Sequence, residues 1–187
     1  EINKALADGL NELSRQQGVT LFMSLLAVLK VLLHRYTGKS DVCIGTPVAG
    51  RQQHDLEGLV GIFINTLALR DKVDGGMLFT DFLRLVFQTT MDAYEHQEVP
   101  FEQVVDAVVK QRGLSNNPLF DVMMIMQNTP AIEALRLGDV QRCSSKIKQD
   151  TSRFEITLQV TEATDCLYGS IEYNTGLFNS STIERLI

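Results

Sequence analysis

The chain has 187 residues, of which 44% are apolar, and a formal net charge of −6. This length and composition suit one domain, or one lobe of a larger domain, with a sizeable core. The acidic balance and the lack of grouped Lys and Arg argue against a nucleic-acid partner. Because the cysteines Cys43, Cys143 and Cys166 are widely spaced, we expect reduced thiols in a cytoplasmic protein, with neither a disulfide framework nor a metal site.

Two helices are predicted first. Apolar residues at helical spacing predict a helix over residues 2–17, which Gly18 ends, and a largely buried second helix over residues 20–36. The most apolar stretch, residues 19–33, is short for a membrane span and contains Lys30, so we expect no membrane segment. Helical patterns reach both ends of the chain, which predicts a piece of a longer polypeptide.

Residues 43–70 are predicted to form a strand, a long irregular loop and a second strand. The first strand is the apolar run 42–44, closed by Gly45 and Pro47, and the second is the run 62–69. A loop of more than about 12 residues is uncommon in a compact domain and is usually functional or disordered. Because a strand is predicted on each side of this loop, we predict a specific role for it; a solvated surface loop is the alternative.

Two more helices and three more strands complete the main predicted elements. An apolar stripe predicts a third helix over residues 78–96, and Pro100 suits the first turn of a fourth. The apolar run 119–127 predicts a buried strand, and the alternating segments 154–160 and 167–173 predict a β-hairpin with one solvated face. Helices and strands do not alternate strictly, so the predicted fold class is a layered α/β or α+β sandwich.

No catalytic motif is found from the residues alone. The sequence contains no GxSxG, HExxH or GxGxxG pattern, and His34, His54 and His96 are far apart. We therefore assign no catalytic residue and no metal ligand. A general base typically contributes about 10²- to 10⁴-fold in rate, so the lack of a convincing one matters.

Three motifs carry a family resemblance: VGIFINTLALR at 60–70, HQEVPFE at 96–102 and RGLSNNPL at 112–119. In that order, they are similar to the fifth, sixth and seventh core motifs of the condensation domains of nonribosomal peptide synthetases. IGTPVAGR at 44–51 is similar to the segment that precedes the fifth motif. The motifs occur in family order, and the resemblance covers essentially the whole chain. Three residues depart from the family pattern: Gly113, Asn116 and Glu155.

The resemblance implies a chloramphenicol-acetyltransferase-like fold of two lobes, of which residues 1–187 would be the C-terminal lobe. In this family the amine of a carrier-bound acceptor attacks the thioester of a carrier-bound donor, and an amide forms. The implied proton-handling residue is the second His of an HHxxxDG motif, which this sequence does not contain. The chain alone is therefore expected to be inactive. It would supply one wall of the substrate tunnel, with residues 43–70 facing the partner lobe.

The implied partners are the N-terminal lobe of the same domain, donor and acceptor peptidyl carrier proteins with their phosphopantetheine arms, and an adjacent adenylation domain. The lobe itself is expected to bind no cofactor. Candidates for the tunnel or the lobe interface are Gly45, Pro47, Arg51, Asn65, Thr66 and Arg70. Residues expected to maintain the motifs are Gly61, Phe63, His96, Gln97, Pro100, Phe101, Glu102, Arg112, Ser115, Asn117 and Pro118.

Two questions stay open at the level of sequence. Asn65 and Thr66 either satisfy neighbouring backbone groups or face the tunnel, whereas Arg51 and Arg70 are expected to hold the loop and strand through charged hydrogen bonds. The function is also open between a lobe of the amide-forming enzyme, a non-catalytic docking module for carrier proteins, and a lobe of a heterocyclisation or epimerisation domain. Epimerisation domains have a tryptophan-bearing VGWFT-like stretch, and this chain has no Trp.

Overall fold

The computed structural model describes residues 2–56, 58–109, 117–127, 151–163 and 166–186. The helices are α1 Lys4–Gln17, α2 Leu21–Thr37, α3 Phe79–Glu95, α4 Phe101–Val108 and α5 Ser180–Glu184. The strands are β1 Asp41–Val48, β2 Asn65–Lys72, β3 Val122–Gln127, β4 Ile156–Glu162 and β5 Leu167–Tyr173, and a single 3₁₀ turn spans His54–Leu56.

The first two helices begin and end at residues whose chemistry fits those positions. Thr20 caps α2 by accepting a hydrogen bond from the backbone N–H of Met23. Gly18 and Gly38 end α1 and α2 with φ of 67° and 69°, a conformation that favours glycine. The predicted start of α1 at residue 2 is wrong, because Ile2 instead forms a β-bridge to Leu167 at the start of β5.

The strands form one mixed sheet in the order β2-β1-β3-β4-β5. The β1–β2 and β4–β5 pairs are antiparallel, whereas β3 lies parallel to both β1 and β4. The layered α/β fold class predicted from the sequence is confirmed. Side chains alternate between the two faces along each strand, so the fold has one helix-covered face and one opposite face.

Helices α2 and α3 pack on one face of the sheet and form the main core with it. Leu26, Ile44, Leu69, Leu83 and Met124 are all fully buried in this core. A second cluster, around Ala7, Leu21, Val160 and Leu167, joins α1 and the start of α2 to the β4–β5 hairpin. Burial of this apolar surface at roughly 25 cal/mol per Å² is the main force that holds the helices to the sheet.

A buried ion pair crosses the main core. The Lys30 side chain is fully buried, and its Nζ donates hydrogen bonds to the Leu69 carbonyl, at 2.9 Å, and to the Asp71 carboxylate. The Thr89 hydroxyl donates to the other oxygen of Asp71 at 2.6 Å. Burial holds the pKa of Lys30 below its ordinary value, while the charge of Asp71 acts in the opposite direction. These contacts join α2, β2 and α3.

The predicted end of β1 is wrong. The strand does not stop at Gly45 but continues through Pro47 to Val48, and it pairs with β2 along its full length. Its pairing with β3 is confined to Ile44 and Gly45. Pro47 lies beyond that pairing, so its missing N–H removes no hydrogen bond on the β3 side. Gly45 is required for packing, because an added Cβ would lie 2.2 Å from the ring of Phe120.

Among the helices that the structure describes, none is by itself long and apolar enough to cross a membrane. Helices α1 and α2 together pass a test of length and composition, but they meet at a bend of 103°.

Candidate functional site

The loop between β1 and β2, residues 49–64, is held closed by its own side chains and backbone. Gly50 has a φ of +63°, and a Cβ added there would lie 1.9 Å from the carbonyl oxygen of Phe63. The Arg51 guanidinium donates to the carbonyls of Leu56 and Gly61 and lies 4.3 Å from the centre of the Phe63 ring. Arg51 therefore maintains the loop, as the sequence led us to expect.

This loop also presents apolar side chains to solvent. Val60 and Ile62 are almost completely exposed, and Leu59 and Ile64 are more than half exposed. We predicted residues 62–64 to begin the second strand, and that prediction is wrong, since β2 begins at Asn65. A contiguous exposed apolar surface marks an interaction site in most soluble proteins. The loop is thus both internally fixed and apolar on its outer side.

Asn65 connects the fifth motif to the sixth. Its Nδ2 donates hydrogen bonds to the carbonyls of Gln97, at 2.9 Å, and Val99, at 2.7 Å. Its Oδ1 accepts a hydrogen bond from the backbone N–H of Phe101 at 3.1 Å. The amide of Asn65 therefore satisfies backbone groups of the α3–α4 turn, and the first residue of β2 is fixed to the start of α4.

Three aromatic rings continue this connection toward the sheet. Pro100 precedes the first residue of α4, where its fixed φ suits a helix start, and Phe101 follows it. The Phe101 and Phe120 ring centroids are 5.6 Å apart, and the Phe120 and Phe154 centroids are also 5.6 Å apart. Phe120 packs on Gly45, so the sixth motif is joined through the rings to the centre of the sheet.

The remaining candidates are distributed over the chain. Arg70 forms a bidentate ion pair with Asp41 at 2.6 and 2.8 Å, at the other end of the β1–β2 ladder from the loop. Because both side chains are largely exposed, this pair adds little stability. His96 ends α3, and the Asn117 side chain donates to the carbonyl of Arg153 at 3.2 Å, just before Pro118. Arg112 and Ser115 lie outside the described residues.

Two cavities flank these elements. The first, of about 360 Å³, lies between the loop and the α3–α4 turn, and Phe63, Gln97 and Glu102 are among its lining residues. The second, of about 680 Å³, lies on the sheet face opposite α2 and α3 and includes Pro47 and Thr66. Sequence reasoning did not predict the residues that β4 and β5 contribute to the second cavity. The signal that could have found them was the solvated alternation of residues 154–160 and 167–173.

Burial has a chemical consequence at Cys43 in β1. It raises the pKa of this thiol to about 11 from an ordinary value of 9.0. Because the thiolate is the nucleophile, we expect alkylation of Cys43 by iodoacetamide to accelerate about tenfold per pH unit from pH 8 to 10. The alkylation rate of a short cysteine peptide in the same reaction should level off near the ordinary pKa of its thiol.

Peptide mass spectrometry measures this rate at Cys43 directly, and the Cys43→Ser variant identifies the peptide. Circular dichroism at each pH verifies that the fold is intact. A reaction rate at Cys43 that levels off below pH 9 would contradict the raised pKa.

A family model for the Condensation domain matches residues 1–187 of this chain. The chain belongs to the condensation-domain family. The resemblance seen in the three motifs is thereby confirmed. Asn65 brings the fifth and the sixth of these motifs together.

Relatives of this condensation-domain chain include a linear gramicidin synthase subunit and a bacitracin synthase. The chain is 44% identical over 180 residues to one of the linear gramicidin synthase proteins of Brevibacillus parabrevis, covering 95% of this chain and 4% of that protein. It is 41% identical over 177 residues to bacitracin synthase 1 of Bacillus licheniformis, covering 95% of this chain and 3% of that protein. The chain thus spans less than a twentieth of the length of these relatives.

Solved structures share the fold. A holo four-domain nonribosomal peptide synthetase, bound to AMP and glycine, matches with a TM-score of 0.89 and 28% identity over 99% of this chain and 15% of that one. The X-domain from teicoplanin biosynthesis matches with a TM-score of 0.90 and 22% identity over 99% of this chain and 43% of that one. The second likeness bears on the fold alone.

Proposed function

We propose that this chain is the C-terminal lobe of a nonribosomal peptide synthetase condensation domain, and that the complete domain joins two carrier-bound substrates by an amide bond. The observation that carries the proposal is the loop 49–64. Arg51 and Asn65 fix it in place, yet Val60 and Ile62 are exposed, as expected of a surface that a partner lobe covers. The chain also covers only 43% of the X-domain, which supports a lobe with a missing partner.

The proposed chemistry needs a base, and we place that base on the other lobe. The acceptor amine attacks the donor thioester carbonyl and the C–N bond forms. The C–S bond then breaks, and the proton that the amine loses is balanced by protonation of the departing phosphopantetheine thiolate. Of the three histidines, His34 directs its Nδ1 to the Lys39 carbonyl at 2.9 Å, His54 begins the 3₁₀ turn, and His96 ends α3. The HHxxxDG histidine would belong to the other lobe, and this lobe would position the substrates that phosphopantetheine arms deliver.

The implied partners are an N-terminal lobe, donor and acceptor carrier proteins and a neighbouring adenylation domain, in a cytoplasmic synthetase. The test loads both carrier proteins with aminoacyl-phosphopantetheine and measures amide formation by mass spectrometry. We expect amide from the complete domain and none from this chain alone. Amide from this chain alone would overturn the assignment as a lobe, and no amide from the complete domain would overturn the activity.

Two other functions are distinguished with the same loaded carrier proteins, one by titrating their binding and the other by the mass of the product. A docking module would bind loaded carrier protein with an affinity that does not change when the partner lobe is added. A heterocyclisation domain would give a product one water lighter than the amide when the acceptor is a seryl, threonyl or cysteinyl group. We expect neither result.

A further inference from the structure

The sheet face opposite α2 and α3 carries a group of polar side chains from β4 and β5. Thr157 pairs with Glu172 and Gln159 pairs with Ser170 in the antiparallel register. Directly opposed residues project from the same face, so the four side chains form two adjacent cross-strand pairs. All four line the cavity of about 680 Å³, a volume within the range of small-ligand sites. We call them the polar quartet.

The polar quartet is not used in holding the fold together. Within the ranges that the structure describes, none of its four side chains takes part in a hydrogen bond or ion pair. The apolar lining of the same cavity includes Pro47, Ile125 and Phe154. The cavity therefore combines an apolar wall with hydrogen-bonding groups that have no partner among the described residues, as ligand sites do.

The charges in the lining limit the kind of ligand that fits. Glu172 supplies one carboxylate and Arg153 one guanidinium, and these two groups form no ion pair with each other. A cationic ligand would lie beside the like charge of Arg153, and an anionic ligand would lie beside the like charge of Glu172. A neutral group with both N–H donors and an oxygen acceptor suits both charges, and it also suits the amide of Gln159 and the two hydroxyls.

We propose that this cavity binds the side chain of a carrier-bound aminoacyl substrate and selects a neutral side chain that both donates and accepts hydrogen bonds, first of all a carboxamide. The inference rests on the proposed function, since it names the substrate class of that reaction. An apolar side chain in the same place would leave the polar quartet desolvated without partners, which is costly. Discrimination then follows from unpaired groups rather than from size.

The test uses the complete condensation domain and compares two side chains of nearly equal size, glutaminyl and methionyl. In one arm the acceptor carries the variable side chain and the donor is alanyl; in the other arm these roles are exchanged. We expect kcat/KM to favour glutaminyl over methionyl by at least about tenfold in one of the arms. That arm identifies which substrate the cavity holds.

Two variants connect the preference to the polar quartet. Gln159→Met and Glu172→Met each keep the side-chain size, and each should lower kcat/KM for glutaminyl by about tenfold while leaving methionyl within about twofold. Glu162→Met is the matched control, since Glu162 lies in the same hairpin but outside the cavity lining. It should leave kcat/KM unchanged for both substrates.

Three outcomes would overturn the inference. The first is no preference in either arm, which refutes the selectivity but leaves the amide-forming function intact. The second is an equal loss of kcat/KM for the glutaminyl and methionyl substrates in the Gln159 and Glu172 variants, which would indicate a structural role. The third is no amide from any pair of substrates, which would refute the proposed function itself.

Discussion

Lys30→Met is expected to lower the free energy of unfolding by about 3–5 kcal/mol. The substitution removes the ammonium group but leaves the Asp71 carboxylate, whose side chain is only 5% exposed, without its counter-charge. The Thr89 hydroxyl alone cannot replace the lost interaction, because a buried carboxylate without a cation has a large desolvation cost. The measurement is chemical unfolding of the condensation domain that carries this chain, followed by circular dichroism.

The double variant Lys30→Met/Asp71→Leu separates the unpaired charge from the lost packing. Replacing a buried ion pair by apolar side chains of similar size is often neutral, so we expect the double variant to recover most of the stability. Lys39→Met, at an exposed position after α2, should stay within about 0.5 kcal/mol of the parent protein. A double variant as unstable as Lys30→Met would show that the ion pair is not the cause.

Asn65→Leu should lower the free energy of unfolding by about 2–3 kcal/mol and should slow amide formation by the complete domain at least about tenfold. Leucine has the same number and branching of side-chain heavy atoms, but it leaves the carbonyls of Gln97 and Val99 and the N–H of Phe101 without the Asn65 amide. The start of β2 would then lose its connection to α4, and the loop 49–64 would lose its fixed end. The measurements are chemical unfolding and kcat with saturating carrier-bound substrates.

A conservative variant and a distant control complete the Asn65 experiment. Asn65→Asp keeps an oxygen for the Phe101 N–H but removes both donors. Its free energy of unfolding should therefore lie between those of the parent protein and Asn65→Leu. Asn11→Leu, on the exposed side of α1, should change the unfolding free energy by less than about 0.5 kcal/mol. Normal amide formation by a stably folded Asn65→Leu domain would refute the role assigned to this contact.

Elements fixed by local chemistry could be predicted closely from the sequence. The Gly18 end of α1 and the bounds of β5 depend on neighbouring residues or on strict alternation. The start of β2 depended on more distant residues. Residues 62–64 have the apolar character of a strand, but the contacts of Asn65 with residues 97–101 decide where the strand begins. No pattern within residues 60–70 contains that information.

The candidate site likewise combines features that nearby residues predict with contacts that distant residues make. The motifs identified the important segments, but the packing of Phe120 on Gly45 and the pairing of Lys30 with Asp71 join residues far apart in sequence. Lys30 stood out as a cation in an apolar helix, yet its partner could not be inferred. The alternation in β4 predicted a solvated face; the register with β5, which forms the polar quartet, required the sheet.

The sheet order has a consequence for biosynthesis on the ribosome. The β1–β2 hairpin packs with α2 and α3, so this half of the sheet belongs to neighbouring residues that emerge early. The β4–β5 hairpin is equally local but emerges late, and within the sheet β3 lies between the two hairpins, parallel to β1 and to β4. Parallel pairing closes large chain loops and is slow. We therefore expect two co-translational folding steps, with β3 the last strand of the sheet to find its place.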